Sequence, residues 1–195
     1  KDRTDYNSVV EECQKALDCS PVPLVVPVAS GEGLGGVIDL LAQQVLTSDG
    51  TSSKSQQTDI PAEQQDKFLE YRLKLMEQVA ETNDELVEKY LANGVLPNED
   101  LTDGLLVGVL DRKLVPVIGG SAIRNVGTAS LLNAIVQFFP SPQDRASLHA
   151  IQGTHPQTRE DIHLKGSDQE AFSAFVFKTT IDPFVGRLTF ARVLS

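Results

Sequence analysis

Apolar positions recur at helical spacing in some stretches of this chain and run continuously or alternate in others. Val9, Val10, Cys13 and Leu17 are spaced for one face of a helix over Tyr6–Leu17, with Asp5 as its N-cap. The almost unbroken apolar run Pro23–Val28 is too short for a stable helix and rich in β-branched residues, so it predicts a strand. Its prolines predict an edge or irregular position in the sheet. After a turn over Gly31–Gly36, Val37–Leu41 predicts a second strand forming a hairpin with the first. From Leu46 to Gln64 the residues are Ser, Thr, Gln, Asp and Gly with few apolar ones, which predicts a mobile loop that burial cannot order.

Helix formers dominate from Ala62 to Gly94. Phe68, Tyr71, Leu75 and Val79 form one apolar stripe. Thr82-Asn83-Asp84-Glu85 fits a capping box that opens a new helix, carrying Leu86, Tyr90 and Leu91 inward and stopping at Gly94. Asn98-Glu99-Asp100 opens a further helix toward Arg112, and Leu114–Ile118 predicts a buried strand running into Gly119-Gly120-Ser121-Ala122. An amphipathic helix is expected over Gly127–Phe139, with Leu131, Leu132, Ile135, Val136 and Phe139 on one side and Pro140-Ser141-Pro142 as its stop. Pro140–Gln169 is polar and without periodicity, which predicts a linker. Phe172–Thr179 and Arg187–Val193 then alternate around Asp182-Pro183-Phe184-Val185-Gly186, a β-hairpin pattern. Two strands are not a stable domain in water, so this end of the chain reads as part of something longer.

Composition narrows the function classes. With 195 residues and 41% hydrophobic content the chain can bury a core. The net charge of −10 works against a phosphate backbone, so direct nucleic-acid binding is not expected. No run approaches the ~20 apolar residues of a membrane span, and Lys1–Tyr6 is polar where a signal peptide is apolar, which together predict no membrane association and a cytoplasmic protein. Cys13 and Cys19 match neither a redox nor a zinc spacing and are expected as thiols. His149, His155 and His163 lack the i, i+4 helical spacing of metal ligands and are expected in solvated loops, so no metal site is expected. No G-x-x-x-x-G-K-[ST] occurs, and the Gly31–Gly36 cluster, with no lysine after it, reads as a turn.

Five segments, in order, resemble the elongation factor G family of translational GTPases. Val22–Val28 followed by Gly36–Leu40 is similar to the opening strands of the G-prime insertion of that family's GTP-binding domain. Glu85–Leu91 is similar to its "EL-EKYL" helix. Val115-Pro116-Val117 through Ser121-Ala122, then Leu131–Ala134 and Pro140–Pro142, resemble its closing strand, guanine loop and last helix. Phe175–Lys178 with Asp182–Leu188 resembles the first hairpin of its second domain. Ile123 and Arg124 depart from the aromatic and lysine usual after the guanine-loop alanine, which marks a divergent member.

The resemblance implies an α/β (α+β) fold: part of a P-loop-type GTPase domain with an α/β insertion, followed by the first hairpin of a β-barrel. Its segments are 1–20 in the GTPase domain, 21–113 as the insertion, 114–142 as the closing strand and helix, 143–170 as a linker and 171–195 as the hairpin. It implies a parent that uses GTP hydrolysis to move transfer and messenger RNA on the ribosome, with GTP or GDP and Mg²⁺ in the parent. Ser121 and Ala122 would form the guanine loop. Thr4-Asp5-Tyr6 stands for the family's Ala-Asp-Phe just past the guanine-specifying aspartate, or Asp2 is itself that aspartate. The chain lacks the phosphate-binding apparatus and is expected to be non-catalytic and inactive alone. Glu77 and Glu81, at i, i+4 on one helix face, would contact the ribosomal stalk protein; the alternative is a solvated acidic face. Two other function classes stay open, a ribosome-protecting or remodelling GTPase and a stand-alone interaction module. Exposed faces at Val115–Ile118 are expected to favour self-association.

Overall fold

The computed structural model describes residues 5–29, 34–48, 56–148, 151–155, 157–167 and 169–194. The chain is mixed α/β and divides into two compact units, residues 1–139 and 140–195. The first unit runs α1 (Tyr6–Leu17), β1 (Pro21–Pro27), β2 (Gly36–Asp39), β3 (Gln44–Thr47), β4 (Gln56–Thr58), α2 (Ala62–Ala80), α3 (Asp84–Asn93), α4 (Asn98–Leu110), β5 (Val115–Ile118) and α5 (Thr128–Phe138). Its sheet has the order β4-β3-β2-β1-β5, in which β1 and β5 are parallel and the other pairs antiparallel.

The hairpin of β1 with β2 forms as the pattern predicts, but β1 is an interior strand and not an edge. Pro21 and Pro23 are tolerated there because pairing with β2 begins only at Val25, and a bulge between Pro23 and Val25 shifts the register against β5; Pro27 pairs with Val37 at the end of the strand. On the β5 side the strand serves as acceptor: the Val115 amide donates to the Ser20 carbonyl and the Gly119 amide to the Val25 carbonyl, both at 2.9 Å. Proline keeps its carbonyl, so a strand used as acceptor loses little. The stretch expected as a loop from Leu46 to Gln64 instead contributes β3 and β4, whose ladder pairs Val45 with Thr58. In β3 the side chains of Val45 and Leu46 reach the core, while β4 is exposed and held by main-chain bonding to β3; residues 49–55 lie outside the described ones.

The stripe on α2 is buried as its spacing predicts, with Phe68, Tyr71, Leu75 and Val79 in the core beside Val22, Val26 and Ile38. The cap of α3 is displaced by one residue from the predicted box: the Asn83 side chain accepts from the Glu85 amide at 2.8 Å, while the Thr82 hydroxyl donates back to the Val79 carbonyl at 2.7 Å. Leu86 is buried, but Leu91 is 78% exposed because only one side of this short helix meets a neighbour. Gly94 ends α3 at φ +72. On α4, Gly104 and Gly108 face the α2–α3 corner without side chains. A Cβ on Gly104 would sit 2.5 Å from Leu86 Cδ1 and 2.7 Å from Val79 Cγ1, and one on Gly108 would sit 2.8 Å from Leu114 Cδ1.

Arg72 is the buried charge of this core, 8% exposed. One guanidinium nitrogen donates to the Leu40 carbonyl at 2.5 Å and the other to the Asn98 side-chain oxygen, so the group ties α2 to the end of β2 and the start of α4. Burial pulls its pKa down from the usual arginine value. Helix α1 has the predicted cap, Asp5 accepting from the Ser8 amide at 2.7 Å, but buries none of its residues; Val9 and Leu17 stay exposed. Tyr6 anchors it, edge-on to Tyr71 with ring centroids 6.3 Å apart. Strand β5 is half-exposed at the sheet edge, where a buried strand was expected, since it has β1 on one side alone.

The second unit holds α6 (Pro142–Leu148), β6 (Ile151–Thr154), β7 (Asp161–Leu164), β8 (Ala174–Asp182) and β9 (Gly186–Val193). The stretch expected as a linker thus contains a helix and the hairpin β6–β7. His155 is part of that hairpin's turn, its Nδ1 accepting from the Thr158 amide at 3.1 Å, and His163 is an exposed strand residue; His149 lies outside the described residues. Local turn bonds of this kind leave no periodic apolar signature. The hairpin β8–β9 forms as the alternation predicts. Asp182 Oδ1 accepts from the amides of Phe184 at 2.8 Å and Val185 at 3.0 Å, which holds its carboxyl below the usual range, and Gly186 supplies φ +81.

Because a side chain at position 104 has no room, Gly104→Val is expected to lower stability by about 1–3 kcal/mol, read as a drop in the urea midpoint. Gly153→Ala, at a position with no atom within 4 Å of the new methyl, is expected to change it by less than about 0.5 kcal/mol.

Candidate functional site

Strands β1 and β5 are parallel neighbours, so the loops after both leave from the same end of the sheet. In α/β sheets ligands bind beyond the carboxyl ends of parallel strands. The loop after β5 is built from its glycines upward. Gly119 continues the ladder by donating to Val25, and a Cβ there would lie 3.1 Å from both that carbonyl and the Tyr6 ring. A Cβ on Gly120 would meet the Val126 carbonyl at 2.6 Å. Gly127, at φ +78, comes so close to the loop's start that a Cβ would meet the Gly119 carbonyl at 2.6 Å.

Those approaches let Ser121 and Val126 close the loop as a two-way bridge, Ser121 amide to Val126 carbonyl at 2.8 Å and Val126 amide to Ser121 carbonyl at 3.0 Å. Within it the Asn125 amide donates to the Ala122 carbonyl at 3.2 Å, and the Ser121 hydroxyl accepts from the Arg124 amide at 3.4 Å. The two predicted loop residues therefore divide their tasks. Ser121 is half-buried and shapes the turn; Ala122 is exposed at its tip, and its amide donates to no described residue. Ile123 beside it is 97% exposed.

Beyond the Gly119–Val25 bond, two long-range side-chain bonds among the described residues hold this region, and neither has a local sequence signal. The Arg124 guanidinium donates to the Leu34 carbonyl at 3.3 Å, joining the tip to the approach of β2. The Ser130 hydroxyl in the first turn of α5 donates to Asp39 Oδ2 at 3.2 Å, while Asp39 Oδ1 accepts from the amides of Leu41 and Ala42 at 3.1 and 2.9 Å. Nearby, Lys67 donates to the Pro27 carbonyl at 2.6 Å; burial pulls its pKa below the usual lysine range. Gly31, Glu32, Gly33 and Asp2 lie outside the described residues.

Glu77 and Glu81 are one turn apart at the C-terminal end of α2, and both are exposed. Glu77 accepts from the Tyr90 hydroxyl at 3.4 Å. Glu81 caps the helix and rims a cleft of about 360 Å³ lined also by Ser20, Gln78, Thr82, Lys113 and Leu114. A carboxylate at the negative end of a helix is unfavourably placed, a cost that a cation beside it would relieve. The other acids of this face are partly neutralised: Glu70 pairs with Lys74 at 2.6 Å and Glu85 with Lys89 at 3.3 Å. Neither Glu77 nor Glu81 has an ion pair among the described residues.

Cys13 and Cys19 are free thiols, the Cys19 thiol donating to the Cys13 carbonyl at 3.8 Å. Among the described residues no three His, Cys, Asp or Glu side chains are grouped to hold a metal, and no helix is long and apolar enough to cross a membrane.

No protein-family model matches the chain. Among solved structures, a Thermus thermophilus protein known from its crystal structure is similar over 99% of this chain, with a TM-score of 0.71 and 24% identity. The match takes up 26% of that protein, so the chain spans about a quarter of its length. At that identity the likeness shows a shared fold.

Since Gly127 combines a left-handed backbone with a contact no Cβ can enter, Gly127→Ala is expected to destabilise the first unit by about 1–3 kcal/mol. The amide resonances of residues 119–127 should shift while those of β8 and β9 stay in place, as read by heteronuclear NMR.

Proposed function

We propose that this chain is part of an elongation factor G-like translational GTPase, a cytoplasmic protein that uses GTP to promote movement of transfer and messenger RNA on the ribosome. The chain contributes one edge of the guanine pocket and an insertion that meets a protein partner; it carries no catalytic group. The observation that supports this most directly is the loop after β5: at its tip, at the carboxyl end of a parallel strand pair and on a frame of three glycines, the Ala122 amide donates to no described residue. An exposed, rigidly held amide suits an acceptor oxygen on a purine base. The five family-like segments, in their order along the chain, support the same reading.

In this reading Ala122 donates its amide to the guanine and Ser121 holds the turn from below. Arg124 and Gly127 set the loop's position. The phosphates and their Mg²⁺, which supply the charge stabilisation for phosphoryl transfer, would be held by groups of the parent outside this chain. On the insertion, Glu77 and Glu81 face the ribosomal stalk protein, whose basic side chains would settle beside the end of α2 and its cleft. The excess of acidic groups directs this surface toward protein and away from RNA.

The 195-residue chain is expected to hydrolyse no GTP above buffer in a phosphate-release assay; turnover by the purified chain would overturn the reading. In the parent, Ala122→Pro, which deletes the tip amide, is expected to weaken GDP binding about tenfold in a fluorescence titration, the value of one buried hydrogen bond. Reversing both charges, Glu77→Lys with Glu81→Lys, should weaken stalk-protein binding at low salt and flatten its salt dependence. Calorimetric titrations in which wild type and the double variant bind alike would remove that surface from the proposal.

A further inference from the structure

Both legs of the loop after β5 are fastened to one residue pair of the neighbouring hairpin. Val25 of β1 and Asp39 of β2 face each other across the ladder. On the near leg, the Gly119 amide donates to the Val25 carbonyl at 2.9 Å. On the far leg, the Ser130 hydroxyl donates to Asp39 Oδ2 at 3.2 Å. Ser130 follows closely on Val126, whose bridge to Ser121 closes the loop, and it is buried, so losing that acceptor leaves a desolvated hydroxyl. The carboxylate is aimed by its own turn: Asp39 Oδ1 accepts from the Leu41 and Ala42 amides at 3.1 and 2.9 Å, which leaves Oδ2 for the helix. Helix α5 has use for the charge. Gly127 gives it no side-chain cap and its first turn has no acid, so a carboxylate from the sheet stands beside the positive end of the helix dipole.

We propose that Asp39 is a positioning residue for base recognition: through Ser130 it fixes the first turn of α5, and with it the Val126–Ser121 bridge that carries the Ala122 amide. Asp39 touches no nucleotide and acts through the backbone of the loop. Because it belongs to β2, a residue of the insertion sets how well the base is read. This deepens the guanine-pocket reading and rests on it. Nothing near Asp39 in sequence announces the role, since its partner lies on a helix far along the chain and meets it only through the sheet.

Fluorescence competition in the parent tests it, using GDP and the diphosphate of 2-aminopurine riboside, an analogue with no 6-oxygen to accept from the Ala122 amide. Wild type should bind GDP more tightly than the analogue. Ser130→Ala, which keeps the Asp39 turn, and Asp39→Ala should each weaken GDP binding by roughly fivefold, inside the effect of about tenfold that the tip hydrogen bond supplies. Analogue affinity should stay at its wild-type value in both. The double variant should lose no more than either single one, because both cut the same bond. A fall shared equally by the two nucleotides would mark a merely structural bond and overturn the proposal, as would unchanged GDP affinity. Wild type that binds GDP and the analogue alike would overturn the guanine-loop reading itself, and this inference with it.

Discussion

The first unit depends on β1 being bonded on both edges while it carries three prolines. A proline-rich strand is ordinarily driven to the rim because each ring removes a donor. On its β5 side the strand works as an acceptor, and the bulge after Pro23 shifts the register just before Val25, which pairs with both neighbours. The consequences reach the candidate site. The parallel pairing with β5 brings the end of β1 and the start of the loop after β5 to one end of the sheet, where the Gly119 amide bonds the Val25 carbonyl directly. Without that pairing, the loop has no frame.

The helical layer is held by two features of opposite chemistry. At the α2–α3 corner the glycines of α4 let backbone approach side chain, so dispersion contacts replace what side chains would provide. At the other side Arg72 is buried without a carboxylate, its charge spread over the Leu40 carbonyl and the Asn98 amide oxygen. A buried cation of this kind contributes little net stability but fixes geometry, because losing either acceptor leaves a desolvated charge. It therefore sets where α2 ends relative to the sheet, and with it the position of Glu77 and Glu81.

The site itself is mostly backbone. Three glycines, a two-way bridge and one serine hydroxyl shape the loop, and the Ala122 amide at its tip donates to no described residue. Apolar groups meanwhile remain exposed on α5, on β8 and β9, and at Ile123.

From the residues alone the strands of the first hairpin, the buried stripe of α2, the Gly94 stop and the β8–β9 turn were legible, because each follows from local periodicity or from a backbone that only certain residues allow. Ser121 and Ala122 were legible as a loop after a strand, though not the division between one that shapes and one that faces solvent. What the tertiary structure decided is non-local. It put β1 in the interior, drew Val45 and Leu46 of β3 into the core, held the exposed β4 to β3 by main-chain bonds and made β5 an edge. It also tied Arg124 to Leu34 and Ser130 to Asp39, residues with no common local pattern. The physical reason is that periodicity records which side of an element is apolar, whereas pairing and hydrogen-bond partners depend on which distant segments arrive beside it.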